Sequence, residues 1–405
     1  MNNAIPIEEA RRLLLEKVRP AGTETIPLEA CPGRVLARSV TARQMVPPFD
    51  RSPFDGYAFR SADSGEAGRE TPVTLRVLEE VAAGDLPRFP VTPGTAVRIM
   101  TGAPIPPGAD AVEMYEKTKF AGDAVTLFSA YSPGENIVRA GEDVRLGDVL
   151  AEAGSPIDAW TLGTLAGQGL SALEVYRRPR VGLISTGSEL LEPGQAPAAG
   201  KIYNSNRYTF AALLEEAGCT PVYLGSAGDS TEAIAALIRT GAETCDGIML
   251  TGGVSVGDFD LTPKAMEACG AEVFFRKVDM KPGKSCCYGR VGEKPVCGLS
   301  GNPAAAVTNF YALALPALRR LRGCRDCLPR EVTVRLLSGF PKRSPNTRLL
   351  RGRLVLTDGE VRMELPQNQG NGVLSSAMGC DVMAVVPGGS GPLEAGTKLK
   401  GFLVK

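Results

Sequence analysis

Residues 246–270 read DGIMLTGGVSVGDFDLTPKAMEACG. The apolar run GIML ends in paired glycines; hydroxyls and two carboxylates follow, and then a segment with helical spacing. A short apolar run bounded by glycine reads as a buried strand. A strand that ends in nearly bare backbone lets main-chain amides approach a ligand without obstruction. Gly252, Gly253 and Gly257 offer that backbone and Ser255 adds a hydroxyl. Asp258 and Asp260 either face a ligand or cap the helix that follows.

Working outward, strands and helices alternate from residue 180 to residue 323. The strands are RVGLIST, TPVYLG, DGIMLT and AEVFFRKV; the helices are NRYTFAALLEEAG, STEAIAALIRTGAE, TPKAMEACG and NPAAAVTNFYALALPALRRL. This alternation predicts a doubly wound, mainly parallel α/β domain with helices on both faces. Ligands of such sheets lie outside the carboxyl ends of the strands. Two more strand ends there carry ligand-binding chemistry. GLISTGSEL supplies Thr186, Gly187, Ser188 and Glu189, and VCGLSGNPAAA supplies Ser300, Gly301 and Asn302 ahead of a proline-led helix, whose free N–H groups favour an anion. Three such loops on one sheet point to one site. Between them, RKVDMKPGKSCCYG places Lys277, Lys281 and Lys284 around a Pro282–Gly283 turn, an arrangement suited to anions. Asp229, after VYLG, forms a capping box with Glu232 or, with Asp260, holds a cation such as Mg²⁺ beside phosphate oxygens.

The remainder frames this domain. PIEEARRLLLEKV (residues 6–18) predicts an amphipathic helix with Ile7, Leu14 and Val18 near one face. Residues 21–150 are dense in proline, glycine and turns and read as β-rich. Three polar stretches stand out there: PPFDRSPFDGYA with Asp55, RIMTGAPIPPGADAV with Thr101, and GENIVRAGEDV with Asp143. Taken singly, each also reads as turn chemistry. SPIDAWTLGTLAGQGL (residues 155–170) predicts a helix with Ser155 as N-cap and Pro156 in the first turn. From about residue 329 onward the pattern is that of a small β domain.

Composition narrows the chemistry. The chain has 405 residues, with 45 Lys+Arg balanced by 45 Asp+Glu, and no histidine. Neutral net charge argues against nucleic-acid binding through bulk positive charge. Without histidine there is no Ser-His-Asp triad, no HExxH zinc site and no imidazole base. What remains suits phosphates, oxyanions and hard cations. No apolar stretch reaches the ~18 residues of a membrane span, and the N-terminus has acids where a signal peptide would be basic and then apolar; a cytoplasmic location is expected. Cys324 and Cys327 have redox or half-zinc spacing, but no second pair and no histidine completes a site, and two incidental thiols is the plainer reading.

Several of these stretches, in this order, resemble the molybdopterin molybdenumtransferases, the MoeA type related to the E domain of gephyrin. They are DGYA (55–58), RIMTGAPIPPGADAV (98–112), GEN…AGED (134–143), STGSEL (185–190), IYNSN (202–206), TGGVSVGDFD (251–260), KPGK (281–284) and GNP (301–303), with weaker matches at Arg351–Gly352 and Ser375–Ser376. The resemblance implies a multidomain α/β plus β chain in four parts: a small helical linker domain (1–45 and 139–176), an inserted β-rich domain (46–138), an α/β domain of the molybdopterin-binding type (177–326) and a C-terminal β-barrel-like domain (327–405). It implies a homodimer whose cleft lies between the α/β domain of one subunit and the inserted domain of the other. The implied activity is Mg²⁺-dependent insertion of molybdate into adenylylated molybdopterin with release of AMP, with the adenylyltransferase and apo-molybdoenzymes as further partners.

Residue by residue, the resemblance implies that Asp229 and Asp260 are the acidic, metal-binding pair, with Glu189 beside them. Lys277, Lys281 and Lys284 look like the basic set, Asp55, Thr101 and Asp143 like the contribution across the dimer, and Arg351 with Ser375 or Ser376 like molybdate contacts. SPFDGYA, KPGKS and GLSGNPAAA stand where the family usually shows SAMDGYA, KPGKP and GLPGNPVSA; the charged positions are kept. The alternatives are a molybdopterin adenylyltransferase, which as a single α/β domain would lack the flanking domains, and a gephyrin-like scaffold that binds receptor tails.

Overall fold

The computed structural model describes residues 4–254, 261–357 and 359–404. They form two compact units, one made of Met1–Arg38, Ala153–Asp158 and Ala172–Lys405, the other of Ser39–Glu152 and Ala159–Ser171.

The second unit is built on a six-stranded sheet in the order Ala111–Met114, Gly56–Phe59, Thr95–Ile99, Val73–Val81, Ala124–Leu127, Lys119–Ala121. Alternate side chains of a strand face opposite sides. Tyr57 and Phe59 accordingly join Leu75, Ala96 and Leu127 in one apolar cluster, while Ala58 joins Val81, Val97 and Ile99 in another. Both faces are thus covered, and all of Gly56–Phe59 is buried.

In the first unit, a six-stranded sheet runs in the order Thr220–Ala227, Arg180–Thr186, Gly247–Thr251, Lys294–Leu299, Ser285–Val291, Glu272–Lys277. The first four strands are parallel, Ser285–Val291 runs antiparallel to them, and Glu272–Lys277 pairs antiparallel with Ser285–Val291. Period-two alternation again divides the core. Met249, Cys286, Tyr288, Cys297 and Leu299 face one side, and Ile248, Leu250, Cys287 and Val296 the other. Helix Ser205–Glu216 packs on the first face and Thr231–Thr244 and Leu261–Ala268 on the second, through Phe210 and Leu214 or Ile234, Ile238 and Met266. The sheet is therefore doubly wound. Helix Ile7–Lys17 buries Ile7, Ala10 and Leu14 in the first face's core, and Val18 just beyond it joins them.

The last helical run is one rod with a wider middle, α over Pro303–Asn309, π over Phe310–Ala314 and α again over Leu315–Leu321. A π segment shifts carbonyls out of the α register. Arg11 Nε donates to one of them, Ala312 O, at 2.9 Å, and its guanidinium lies 5.2 Å from the Phe402 ring centroid. The N-terminal helix, the rod and the C-terminal strands are thereby joined. Strands Glu331–Leu336, Glu360–Glu364, Arg348–Thr357, Val382–Val386 and Lys398–Leu403 close into a barrel around Val334, Leu350, Met363 and Val382.

One helix departs from the sequence reading. The helix predicted from Ser155 spans only Ala159–Ala166. Ser155 O accepts the Leu36 N–H at 3.0 Å, and Ile157 exchanges bonds with Arg34 and Gly33 at 2.8 and 2.9 Å. Residues 155–157 are thus held extended, and long-range pairing overrides the capping signal.

Asn204 ties a helix to a strand. Its Oδ1 accepts the Arg207 N–H at 3.2 Å as N-cap of Ser205–Glu216, and its Nδ2 reaches Ser185 Oγ at 2.9 Å and Glu192 Oε1 at 3.1 Å. It is 1 % exposed. Asn204→Ala removes the cap and leaves buried partners unsatisfied, and should destabilise the chain by about 2 kcal/mol in urea unfolding; an unchanged unfolding midpoint would refute this role.

Candidate active site

At the carboxyl ends of the parallel strands lies a cleft of about 650 Å³. Its walls come from four strand-end loops and from the barrel. Thr186 ends the strand Arg180–Thr186 and Gly187 and Glu189 follow it, Asp229 follows Thr220–Ala227, Gly252 and Gly253 follow Gly247–Thr251, and Ser300, Gly301 and Asn302 follow Lys294–Leu299. Lys281, Gly283 and Lys284 form the opposite side, and Asn346 and Asn371 complete it.

The glycine wall has steric reasons. Gly252 and Gly253 have φ of +99° and +63°, values that favour glycine. A methyl group on Gly252 would collide with Thr186, and one on Gly253 would come within 2.8 Å of Thr262 Oγ1. Thr186 Oγ1 donates to Thr251 O at 3.1 Å and Thr262 Oγ1 to Gly252 O at 3.0 Å, so two buried hydroxyls hold this corner.

In the acidic wall, the capping reading of Asp229 does not hold. The helix Thr231–Thr244 is capped by Ser230, whose Oγ accepts the Ala233 N–H at 3.2 Å. Asp229 is therefore no cap; its Oδ2 accepts from Ser188 Oγ at 2.7 Å, and Lys201 Nζ donates to Ser188 O at 2.6 Å. Glu189 folds back over Gly187. Behind this loop, Glu192 accepts from Asn204 Nδ2 at 3.1 Å and pairs with Arg207 at 2.7 Å. Burial raises the Glu192 carboxyl, but the Asn204 and Arg207 bonds outweigh it and hold the group below its ordinary range.

The basic wall is a turn fixed from both ends. Lys281 N–H donates to Thr347 O and Lys281 O accepts from Leu349 N–H, both at 2.9 Å, which docks the turn on the barrel. Lys284 O accepts the Val278 N–H at 3.0 Å, which closes it on the α/β domain. Pro282 and Gly283 are buried, while Lys281 and Lys284 are exposed. The main chain is thus anchored and the ammonium groups reach out from it.

Not every expected residue lies here. Lys277 is within a strand, opposite Ser285. Ser375 is exposed on the short turn Leu374–Ala377. Arg351 is 0 % exposed, with Nη2 on Ser376 Oγ at 2.8 Å and on Gly370 O at 3.2 Å, and Nη1 on Thr308 Oγ1 at 3.4 Å. Burial lowers its pKa from the usual guanidinium value. In the other unit, Asp55 Oδ1 accepts from both N–H and Oγ1 of Thr101 at 2.7 Å, and these bonds hold its carboxyl below the ordinary range. Asp143 is exposed in that same unit. Ser255, Gly257, Asp258 and Asp260 lie outside the described residues.

Asn346 and Asn371 were not anticipated. Their only sequence signal is membership of the polar turns SPNTR and QNQGNG in the C-terminal part. All ten cysteines are free thiols, and Cys327 Sγ lies 3.0 Å from Cys324 O. Burial pushes the Cys327 thiol up to about 11, the opposite of a reactive thiolate. Among the described residues no group of three or more Cys, Asp or Glu side chains could hold a metal ion, and no helix is long and apolar enough to cross a membrane.

Comparison with known proteins gives this geometry its family. Residues 5–169 match the MoeA N-terminal region (domain I and II), 182–320 the probable molybdopterin binding domain, and 333–400 the MoeA C-terminal region (domain IV). The molybdopterin molybdenumtransferase of Bacillus subtilis (strain 168) is 36% identical over 407 residues, covering 99% of this chain and 94% of the relative. That of Staphylococcus aureus (strain COL) is 35% identical over 394 residues, covering 97% of this chain and 94% of the relative. The crystal structure of a molybdopterin biosynthesis MoeA protein from Pyrococcus horikoshii superposes with a TM-score of 0.84 at 30% identity, over 100% of both chains. The chain belongs to the molybdopterin molybdenumtransferase family of enzymes, with that family's multidomain α/β plus β fold.

Proposed function

We propose that the chain inserts molybdate into adenylylated molybdopterin with release of AMP, in a Mg²⁺-dependent reaction. The observation that carries this reading is the meeting, in one cleft, of Lys281 and Lys284 with the glycine wall and the carboxylates of Asp229 and Glu189. Both substrates are anions and repel each other. Ammonium groups offset that repulsion, and the side-chain-free glycine wall lets the anions come within reacting distance. With no histidine in the chain, no imidazole proton shuttle operates, and none is needed when an oxygen of molybdate is itself the nucleophile.

The described residues form no all-protein metal cage. Mg²⁺ ordinarily needs none, being held by one or two carboxylates together with substrate phosphates and water. Asp229, whose position is fixed by Ser188, and Asp260, expected from sequence, would hold it, with Glu189 alongside. Mg²⁺ would supply positive charge at the phosphate oxygens. Ser188 keeps the Asp229 carboxylate oriented, and the lysines would supply positive charge to the departing AMP phosphate.

We also propose, from the family resemblance, a homodimer in which Asp55, Thr101 and Asp143 serve the cleft of a second copy, and a cytoplasmic location. The division into four domains stays part of this proposal.

Incubation of purified protein with adenylylated molybdopterin, Mg²⁺ and molybdate should release AMP and yield a product that reconstitutes an apo-molybdoenzyme; ATP-dependent adenylylation of molybdopterin instead would establish the adenylyltransferase alternative. In calorimetric titration with AMP, Lys281→Ala and Lys284→Ala should each weaken binding about tenfold or more, with less difference at high salt. Asp229→Asn should slow AMP release about 100-fold while leaving AMP bound as well as before; normal single-turnover release would remove Asp229 from the chemistry. Mixing Asp55→Ala and Lys284→Ala proteins under subunit exchange should add up to about a quarter of wild-type activity to what the two variants retain alone, the statistical yield of one intact cleft per mixed dimer. No recovery would contradict a shared cleft.

A further inference from the structure

The two cleft lysines owe their placement to a turn whose inner side rests on one buried carboxamide. Asn309 Nδ2 donates to Gly283 O at 2.9 Å, and Asn309 Oδ1 accepts from Tyr288 OH at 2.5 Å. Both side chains are 0 % exposed. The orientation of the amide is not arbitrary. Gly283 O can only accept, so the amide nitrogen must face it, and the oxygen is left for the phenol to donate to. Gly283 itself is crowded. It has φ of +94°, and a methyl group there would lie 2.7 Å from Met280 Cε and 3.0 Å from Ala305 O. Asn309 is the last residue of the α segment before the π widening of the rod. The chain Tyr288–Asn309–Gly283 thus runs from the strand Ser285–Val291, through the rod, to the backbone between Lys281 and Lys284.

We infer that Asn309, oriented by Tyr288, is a positioning residue for anion binding, acting through the Gly283 carbonyl on Lys281 and Lys284. This rests on the reading of the cleft as an anion site. Lys281 is already tied to Thr347 and Leu349, and Lys284 to Val278. The bond from Asn309 is the side-chain contact that holds the centre of the turn against the rod. Without it, the stretch between the two anchors can rotate its peptide planes, and the lysine side chains no longer start from fixed positions on the cleft wall.

Asn309→Asp tests this with an isosteric change. A protonated carboxyl donates to Gly283 O and accepts from Tyr288, as the amide does. An ionised carboxyl repels Gly283 O. The titratable groups facing this position are Tyr288 and Cys286, both fully buried and pushed up by burial, and Lys284 on the turn; from the neighbouring turn of the rod, Thr308 carries the Arg351 guanidinium. Neither the phenol nor the thiol ionises near neutrality, so the introduced carboxyl is the group that titrates there. Burial raises its pKa; it is protonated at low pH and ionises as pH rises.

The experiment measures AMP affinity by calorimetry for wild type, Asn309→Asp, Tyr288→Phe, Lys281→Ala and Lys284→Ala between pH 5.5 and 8.5, with near-UV circular dichroism on each. We expect Asn309→Asp to bind AMP about tenfold more weakly than wild type at the alkaline end. At the acid end the difference should shrink to within about threefold, with the dichroism unchanged. Tyr288→Phe should weaken binding to a smaller extent at every pH. A constant ratio of Asn309→Asp to wild type across pH, or wild-type affinity throughout, overturns the inference while leaving the anion site standing if the lysine variants still bind poorly. Unweakened lysine variants overturn both.

Discussion

The arrangement of the first unit depends on a turn held between two domains. Lys281 pairs through its main chain with Thr347 and Leu349 of the barrel, and Lys284 closes on Val278 of the α/β domain. An exposed lysine on a free loop samples many positions and contributes little to binding. Two lysines on a turn whose backbone is hydrogen-bonded at both ends lose far less entropy when an anion arrives, and that pre-organisation makes a charge run into a binding wall. The barrel therefore has a role in the cleft beyond the residues it lends to the lining.

The facing wall follows from the same economy of motion. Gly252 and Gly253 sit at positive φ with no space for a side chain, and Thr186 and Thr262 fix the carbonyls around them. The Gly252 N–H is itself spent on Leu299 O at 2.9 Å and the Gly187 N–H on Ala227 O at 3.1 Å, so these glycines shape the wall by leaving it bare of side chains. Asp229 is held by Ser188, and the loop that carries Ser188 and Glu189 is backed by the Glu192–Arg207 pair and by Asn204. The lysine turn, the bare glycine backbone and the carboxylates are thereby held in one cleft by three separate sets of bonds.

Much of this was legible in the sequence. Strand-to-helix alternation, glycines at strand ends and the KPGK turn predicted the sheet and the loops that meet at it. These signals are local, and local signals survive where tertiary pairing agrees with them. They fail where it does not. Ser155 has the chemistry of an N-cap, yet residues 155–157 are paired with residues 33–36 far back in the chain. Asp229 and Glu232 have the spacing of a capping box, yet the neighbouring Ser230 takes the cap. Asn346 and Asn371 carry no motif and reach the cleft only because the barrel docks on the α/β domain. Arg351 is placed by barrel register, which composition does not reveal; it is fully buried against Ser376, Thr308 and Gly370.

The central claim is that a cleft without imidazole gathers anions between an anchored lysine turn and a glycine wall bare of side chains. Anomalous X-ray scattering from crystals soaked in tungstate, a heavy tetrahedral analogue of molybdate, tests it directly. The account predicts a tungsten peak inside the cleft, within contact distance of the Lys281 or Lys284 ammonium group and absent from crystals of the Lys281→Ala/Lys284→Ala double variant. A peak of equal height in that variant, or tungsten bound only outside the cleft, would contradict it.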